Sequence, residues 1–173
     1  MARVTFITGG ARSGKSRLAE ELALRQGTPA GYLATGQAGD PEMAARIARH
    51  QDSRGDEWQT MEEPLAIGQV IEGHDGYFAA ILVDCITLWL TNLLFHYDDP
   101  ARVLGDVKNL TGLFGRLRTP LVLVSSEVGM GIVPEHQLAR TFRDLAGEAN
   151  ELLAAAADEV YVTISGLPLK LKG

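Results

Sequence analysis

Two stretches of the sequence contain residues whose types and spacing could act on a nucleotide. The first, residues 9–16, reads GGARSGKS and matches the pattern G-x-x-x-x-G-K-[ST]. In this pattern the glycines let backbone N–H groups point at phosphate oxygens, Lys15 reaches the β- and γ-phosphates, and the Ser16 hydroxyl can bind Mg²⁺. An apolar run at 4–7 precedes the loop and a helical run at 17–24 follows it, as an anion site at a helix N-terminus requires. The sequence therefore predicts a nucleoside triphosphate site.

The second stretch, residues 46–54, reads RIARHQDSR. On a helix, Arg46, His50 and Arg54 are spaced four residues apart and share one face. Two guanidinium groups beside an imidazole could hold phosphate oxygens while a ring nitrogen attacks phosphorus. The same pattern is also typical of a solvated basic face with His50 near the helix end. Spacing alone leaves both interpretations open.

The elements that must position these residues follow from the alternation of apolar, β-rich runs with helical ones. This alternation predicts an α/β fold, with a mainly parallel sheet flanked by helices. Strands are predicted at 4–7, 31–34, 80–83, 121–125 and 159–164, and helices at 40–53, 87–95, 101–116 and 134–157. The 173 residues suit a single domain spanning 1–173, because no linker or repeat divides them.

Three polar segments follow predicted strands. In open parallel sheets, ligands bind at the carboxyl ends of the strands, so these segments are site candidates. Asp84 ends an apolar strand, the position at which a second acidic residue of P-loop proteins assists Mg²⁺, although many strands end in Asp as a turn residue. The segments 34–36 (Ala-Thr-Gly) and 125–127 (Ser-Ser-Glu) either face the same cleft or form ordinary turns.

Composition excludes several classes of function. The net charge of −6 gives no basic field for nucleic acid or an anionic membrane. Cys85 is the only cysteine, which excludes an internal disulfide and suits a reducing cytoplasm. The apolar run 79–95 is interrupted by Asp84, so we expect a strand followed by a helix and no membrane span. The short apolar run before the glycine loop shows no signal-peptide pattern.

Four blocks of the sequence resemble the bifunctional adenosylcobinamide kinase/adenosylcobinamide-phosphate guanylyltransferase family of cobalamin biosynthesis. They are ITGGARSGKS at 7–16, AARIARHQDSR at 44–54, VDCITLWLTNLL at 83–94 and the stretch 126–172, so the resemblance extends along almost the whole chain. The resemblance implies a P-loop NTPase-like, RecA-like fold. It implies an enzyme that phosphorylates adenosylcobinamide and then transfers GMP from GTP to the product, giving adenosylcobinamide-GDP. It also implies a guanylyl-histidine intermediate and a homotrimer.

The resemblance assigns site residues position by position. It makes His50 the guanylylated nucleophile, with GTP or ATP as substrate, and the loop motif places Mg²⁺ on Ser16. The nucleotide contacts that it implies are Gly9, Gly10, Ala11, Arg12, Ser13, Gly14, Lys15, Ser16, Ala34, Thr35, Gly36, Gln51, Asp52, Ser53, Arg54, Glu62 and Asp84. Ser126 departs from the family pattern, because members often carry Asn there, and this leaves its substrate contact open.

Two other functions fit the glycine loop. A P-loop small-molecule kinase without guanylyl transfer would need the loop but not His50. A nucleotide-switched binding module would turn over nucleotide in the absence of any corrinoid. Labelling with α- or γ-phosphate-labelled GTP distinguishes these hypotheses from the bifunctional enzyme.

Overall fold

The computed structural model describes residues 2–36 and 55–173, and the predicted helix 40–53 lies outside them. The strands of the described part are β1 (Val4–Gly9), β2 (Ala30–Ala34), β3 (Trp58–Glu62), β4 (Ile81–Asp84), β5 (Leu121–Val124), β6 (Glu159–Ile164) and β7 (Leu167–Lys172). They form one sheet in the order β3-β2-β4-β5-β1-β6-β7. Every pair of neighbours is parallel except β6 and β7. The predicted mainly parallel α/β sheet is confirmed.

Helices connect these strands. They are α1 (Lys15–Leu24), α2 (Ile67–Gly73), α3 (Ile86–Tyr97), α4 (Pro100–Leu113) and α5 (Gln137–Ala156). The start of α4 follows from local chemistry: the Asp99 side chain accepts a hydrogen bond from Ala101 N at 2.9 Å, and Pro100 occupies the first helical turn. The longest helix begins three residues later than its sequence predicts, because the backbone of His136 is extended.

Alternate residues of the central strands belong to two apolar clusters on opposite faces of the sheet. In β4, Val83 belongs to the cluster that includes buried residues of α2, α3, α4 and α5. Its neighbour Leu82 belongs to the smaller cluster with Ala19 and Ala23 of α1. This is the two-residue period of a strand buried on both faces. Burial on both faces holds the central strands in place. Their carboxyl ends lie at one edge of the sheet, beside the loop that follows β1.

The sequence patterns did not predict β3, α2 and β7. Both unpredicted strands lie at the two edges of the sheet. Every residue of β7 is exposed, and β3 contains no fully buried residue. Because edge strands bury little side-chain surface, they lack the apolar run that marks a central strand. In the part of the chain that the structure describes, no helix has the length and apolarity to cross a membrane.

Candidate nucleotide site

Two glycines of the loop after β1 occupy positions that exclude a side chain. At Gly9 (φ 153°), an added Cβ would lie 2.5 Å from both the carbonyl oxygen and Oγ1 of Thr163. Gly14 has φ 95° and directly precedes α1, and its Cβ would lie 3.2 Å from Gly166 Cα. Both backbones therefore require glycine. The loop curls against the β6–β7 turn and leads into the N-terminus of α1, as a phosphate-binding loop does.

Lys15, Ser16 and Asp84 come together from two separate elements. The Lys15 ammonium donates a hydrogen bond to the carbonyl oxygen of Gly10 at 2.6 Å and so bridges the loop. The Ser16 hydroxyl donates to Asp84 Oδ2 at 3.1 Å, although the two residues are 68 positions apart. The Tyr32 hydroxyl donates to the same oxygen at 2.8 Å. Asp84 ends β4, which is separated from β1 by β5. The glycine loop and the acidic strand end thus form one site.

The donor atoms at this site suit Mg²⁺. The Ser16 hydroxyl and the Asp84 carboxylate supply hard oxygen ligands on the side of the loop at which Lys15 reaches the phosphates. Mg²⁺ usually takes one or two protein oxygens and completes its shell with water and substrate phosphate. Within residues 2–36 and 55–173, no group of three or more His, Cys, Asp or Glu residues is arranged to hold a metal. The residues therefore fit a metal ion shared with a triphosphate.

Thr35 and Cys85 join the ends of β2 and β4. The Thr35 hydroxyl donates to the Cys85 carbonyl oxygen at 2.7 Å and accepts from Cys85 N at 2.9 Å, while Asn92 donates to the Thr35 carbonyl oxygen at 2.8 Å. The structure brings Thr35 to the site, but these bonds engage its polar groups within the protein. Burial and the negative charge of Asp84 raise the pKa of the Cys85 thiol to about 11. Cys85 is therefore a neutral thiol, whose Sγ accepts from Leu88 N at the start of α3.

The remaining predicted contacts divide into two groups. Ala34 pairs with Asp84 on one side and with Glu62 on the other, so these three residues end neighbouring strands at one edge of the sheet. Gly36 follows them and is partly exposed. The second group lies outside the described residues and consists of His50, Gln51, Asp52, Ser53 and Arg54. For both groups the nucleotide contacts stay predictions.

The segment after β5 lies beside the glycine loop. Glu127 N donates to the carbonyl oxygen of Gly9 at 2.9 Å. Ser126 N donates to the Thr87 hydroxyl at 2.7 Å. The backbone of Glu127 thus adjoins the glycine loop, whereas the Ser125 side chain is buried against Asn150. That residues 125–127 face the cleft stays a prediction.

Two side chains that shape the site were not predicted from the sequence. Tyr32 contacts Asp84. The strand period places Tyr32 and Ala34 on one face of β2, but it does not indicate that β2 pairs with β4. Thr163 is buried, and its hydroxyl lies 2.7 Å from the Ser13 hydroxyl. Thr163 is opposite Gly9 in the β1–β6 register. No local pattern indicates that contact, because it depends on which strands pair.

Comparisons with known proteins identify similar chains over nearly the whole length. A family model described as cobinamide kinase / cobinamide phosphate guanyltransferase matches residues 5–171. The bifunctional adenosylcobalamin biosynthesis protein CobP of Pseudomonas aeruginosa is 47% identical over 168 residues, covering 97% of this chain and 96% of the relative. The bifunctional adenosylcobalamin biosynthesis protein CobU of Escherichia coli K12 is 42% identical over 179 residues, covering 96% of this chain and 98% of the relative.

Solved structures with low sequence identity share the fold. The RadB recombinase superposes with a TM-score of 0.50 at 15% identity, covering 92% of this chain and 73% of that one. The P4 protein of bacteriophage φ6, solved in complex with ADP, gives a TM-score of 0.53 at 18% identity, covering 97% of this chain and 54% of that one. These similarities confirm the P-loop NTPase-like fold.

Proposed function

Because this chain belongs to the cobinamide kinase / cobinamide phosphate guanyltransferase family, we propose that one nucleotide site serves both of its reactions. The enzyme phosphorylates adenosylcobinamide and transfers GMP from GTP to adenosylcobinamide phosphate, two reactions of cobalamin biosynthesis. The proposal of a shared site rests on the contacts at the glycine loop. There the Ser16 hydroxyl donates a hydrogen bond to Asp84, and the Lys15 ammonium donates one to the Gly10 carbonyl oxygen.

Both reactions transfer a phosphorus group, so they depend on positioning and charge neutralisation. The Lys15 ammonium and the N–H groups at the start of α1 neutralise the β- and γ-phosphates. Bound Mg²⁺ would be held by the Ser16 hydroxyl and the Asp84 carboxylate, and it would supply further neutralisation of phosphate charge. The same groups stabilise pyrophosphate as it leaves in the guanylyl reaction and the nucleoside diphosphate as it leaves in the kinase reaction.

His50 is the proposed nucleophile of the guanylyl reaction. Its ring nitrogen attacks the α-phosphorus of GTP, a P–N bond forms, and the bond to pyrophosphate breaks. The phosphate of adenosylcobinamide phosphate then attacks that phosphorus and displaces the imidazole. Support comes from the family resemblance around residues 44–54 and from the arginines at i−4 and i+4, which suit a phosphate.

Labelling with α-phosphate-labelled GTP tests this role. We expect wild type to take up an acid-labile, alkali-stable label, and His50→Ala to take up none. His136→Ala is the matched control, because His136 is exposed and its side chain makes no capping bond to α5. Label retained by His50→Ala would remove His50 as the nucleophile. A wild-type protein that transfers only the γ-phosphate to adenosylcobinamide would instead be a plain kinase.

We also propose that the protein is a cytoplasmic homotrimer. Large apolar side chains are exposed on the loop before α5 (Ile132, 97% exposed) and on β7 (Leu167, 72% exposed), among other places. Such side chains favour association between subunits. A single cysteine suits a reducing compartment. Sedimentation velocity tests the assembly, and a monomer at micromolar concentration would contradict it.

A further inference from the structure

The kinase reaction requires the acceptor hydroxyl to lose a proton, and the phosphate-binding residues do not supply a group for it. Asp84 Oδ2 accepts hydrogen bonds from the Ser16 and Tyr32 hydroxyls, and the proposed function assigns the Asp84 carboxylate to Mg²⁺. Glu63 follows β3, which β2, β4 and β5 separate from β1, and its Oε1 accepts hydrogen bonds from Leu65 N and Ala66 N just before α2. A carboxylate with an oxygen not yet engaged is needed on the side of the loop where the γ-phosphate lies.

The position of Glu127 meets this requirement. It follows β5, the strand that lies between β1, which leads into the glycine loop, and β4, which ends in Asp84. Its N–H donates to the Gly9 carbonyl oxygen at 2.9 Å, so its backbone adjoins the first residue of the loop. Lys15 and the Ser16–Asp84 pair mark the β- and γ-phosphate end of a bound nucleotide. Glu127 therefore lies just beyond the sheet, between the glycine loop and Asp84, at the end of the site where the β- and γ-phosphates would bind.

The backbone before Glu127 is held by a buried polar network. The Ser125 hydroxyl donates to Asn150 Oδ1 at 2.7 Å, and Asn150 Nδ2 donates to the Ser126 carbonyl oxygen at 3.3 Å. Thr87 accepts the Ser126 N–H at 2.7 Å. Ser125 is 0% exposed and Asn150 is 8% exposed. A satisfied buried network of this kind makes the local structure rigid. The folded protein therefore holds the backbone that leads into Glu127 in one position.

The side chain of Glu127 is held by one oxygen only. Its Oε1 accepts from Gly129 N at 2.8 Å, and the Gly129 carbonyl oxygen accepts from Arg143 Nη2 at 2.9 Å. Oε2 makes no hydrogen bond to any residue in the part of the chain that the structure describes. An ionised carboxylate only accepts hydrogen bonds, so a hydroxyl is a suitable partner for Oε2. The half-buried side chain is thus oriented and keeps one acceptor available.

We propose that Glu127 is a catalytic residue of the kinase reaction and contacts the acceptor hydroxyl of adenosylcobinamide. As the hydroxyl oxygen bonds to the γ-phosphorus, the bond from that phosphorus to the bridging oxygen of the nucleoside diphosphate breaks, and the hydroxyl proton moves to Glu127 Oε2. The inference rests on the proposed function. It also separates the two reactions, because the guanylyl reaction uses imidazole and phosphate nucleophiles and removes no hydroxyl proton.

The test compares both half-reactions in Glu127→Gln and wild type. The amide oxygen of Gln can still accept from Gly129 N, so the loop stays in place while the proton acceptor is lost. We expect the kcat of adenosylcobinamide phosphorylation to fall by about 100-fold, the contribution typical of a general base, with the KM for nucleotide little changed. Labelling by α-phosphate-labelled GTP should match wild type. Glu135→Gln, an exposed glutamate of the same loop, is the matched control and should retain both activities.

Each other outcome overturns the assignment. A Glu127→Gln variant with wild-type kinase turnover shows that Oε2 takes no proton. An equal fall in both half-reactions shows that Glu127 only supports the glycine loop. A wild-type protein that is guanylylated but has no kinase activity removes the Glu127 role and leaves guanylyl transfer intact. Absence of both activities in wild type removes the proposed function as well.

Discussion

The carboxyl ends and the amino ends of the strands, called here the carboxyl edge and the amino edge of the sheet, use their polar groups in opposite ways. At the amino edge, the Asp75 carboxylate accepts hydrogen bonds from Arg118 N and Thr119 N, each at 2.9 Å, and from Arg118 Nε at 3.2 Å. At the carboxyl edge, Glu127 Oε2 and the buried Thr8 hydroxyl have no hydrogen-bond partner among residues 2–36 and 55–173. The amino edge uses its polar groups to join strands, whereas the carboxyl edge keeps some of them available.

This difference matches the roles of the two edges, because only the carboxyl edge is expected to bind a ligand. A buried polar group without a partner costs free energy, so such groups persist where a ligand can satisfy them. Ligands of open parallel sheets bind at the carboxyl ends of the strands. We therefore expect substitutions at the carboxyl edge to change activity more than stability, and substitutions at the amino edge to do the reverse.

The largest effect is expected for Lys15→Ala at the carboxyl edge. Removing the ammonium that neutralises the phosphates should lower the rate of both half-reactions by about 100- to 1,000-fold, as the loss of one preorganised electrostatic group does. The midpoint of thermal unfolding should stay close to wild type. Lys108→Ala, at an exposed position on α4, is the matched control. A Lys15→Ala protein that loses stability along with activity would contradict the expectation that substitutions at the carboxyl edge mainly change activity.

The next largest effect is expected for Asp75→Asn at the amino edge. The amide replaces one accepting oxygen with a donor, so a hydrogen bond from Arg118 or Thr119 is lost. The free energy of unfolding in urea should fall by about 1–3 kcal/mol. Turnover per folded molecule should be unchanged. Asp144→Asn, on the exposed surface of α5, should alter neither quantity. A fall in kcat with unchanged stability would contradict the role given to this edge.

The contribution of Asp75 also depends on pH, in a direction that the structure fixes. Partial burial raises the pKa of its carboxyl group, but the hydrogen bonds from Thr119 and Arg118 outweigh that and hold the pKa below its ordinary value of 3.8. A carboxyl group with a lowered folded-state pKa stabilises the protein above its unfolded pKa, and that stability is lost as pH falls through the folded pKa. The stability difference between wild type and Asp75→Asn should therefore be constant above about pH 5 and shrink below about pH 4.

The smallest effect is expected for Thr163→Val, which sharpens the comparison. The Thr163 hydroxyl lies at the carboxyl edge, but it is already bonded to the Ser13 hydroxyl beneath the glycine loop. Its removal should lower the free energy of unfolding by about 1 kcal/mol and raise the KM for nucleotide several-fold in both half-reactions, with kcat little changed. Thr163→Ser keeps the hydroxyl and should restore both quantities. An unchanged KM in Thr163→Val would show that this bond does not shape the loop.

Local sequence patterns predicted the glycine loop and most of the elements that bury apolar surface, although not the seven-residue helix α2. The glycine loop was predicted because its residues are contiguous and each position has a local backbone requirement. The long helix α5 was predicted from apolar residues at spacings of three and four, and it begins at Gln137 rather than Pro134. Strand β7 was missed because all its residues are exposed and it lacks a continuous apolar run, although Leu167, Leu169 and Leu171 alternate along it.

The sequence by itself determined the nucleotide loop, the five inner strands, the longer helices of the described part, and the family. These features depend on contiguous motifs or on periodic burial, and both can be recognised from residues that are close in the sequence. Only the tertiary structure decided which distant groups meet: Tyr32 and Ser16 at Asp84, Thr163 at Ser13, and Glu127 at Gly9. Those contacts depend on the strand order, which places β5 between β1 and β4. Strand order follows from how the helices cover both faces of the sheet, and this is a property of the whole packed chain.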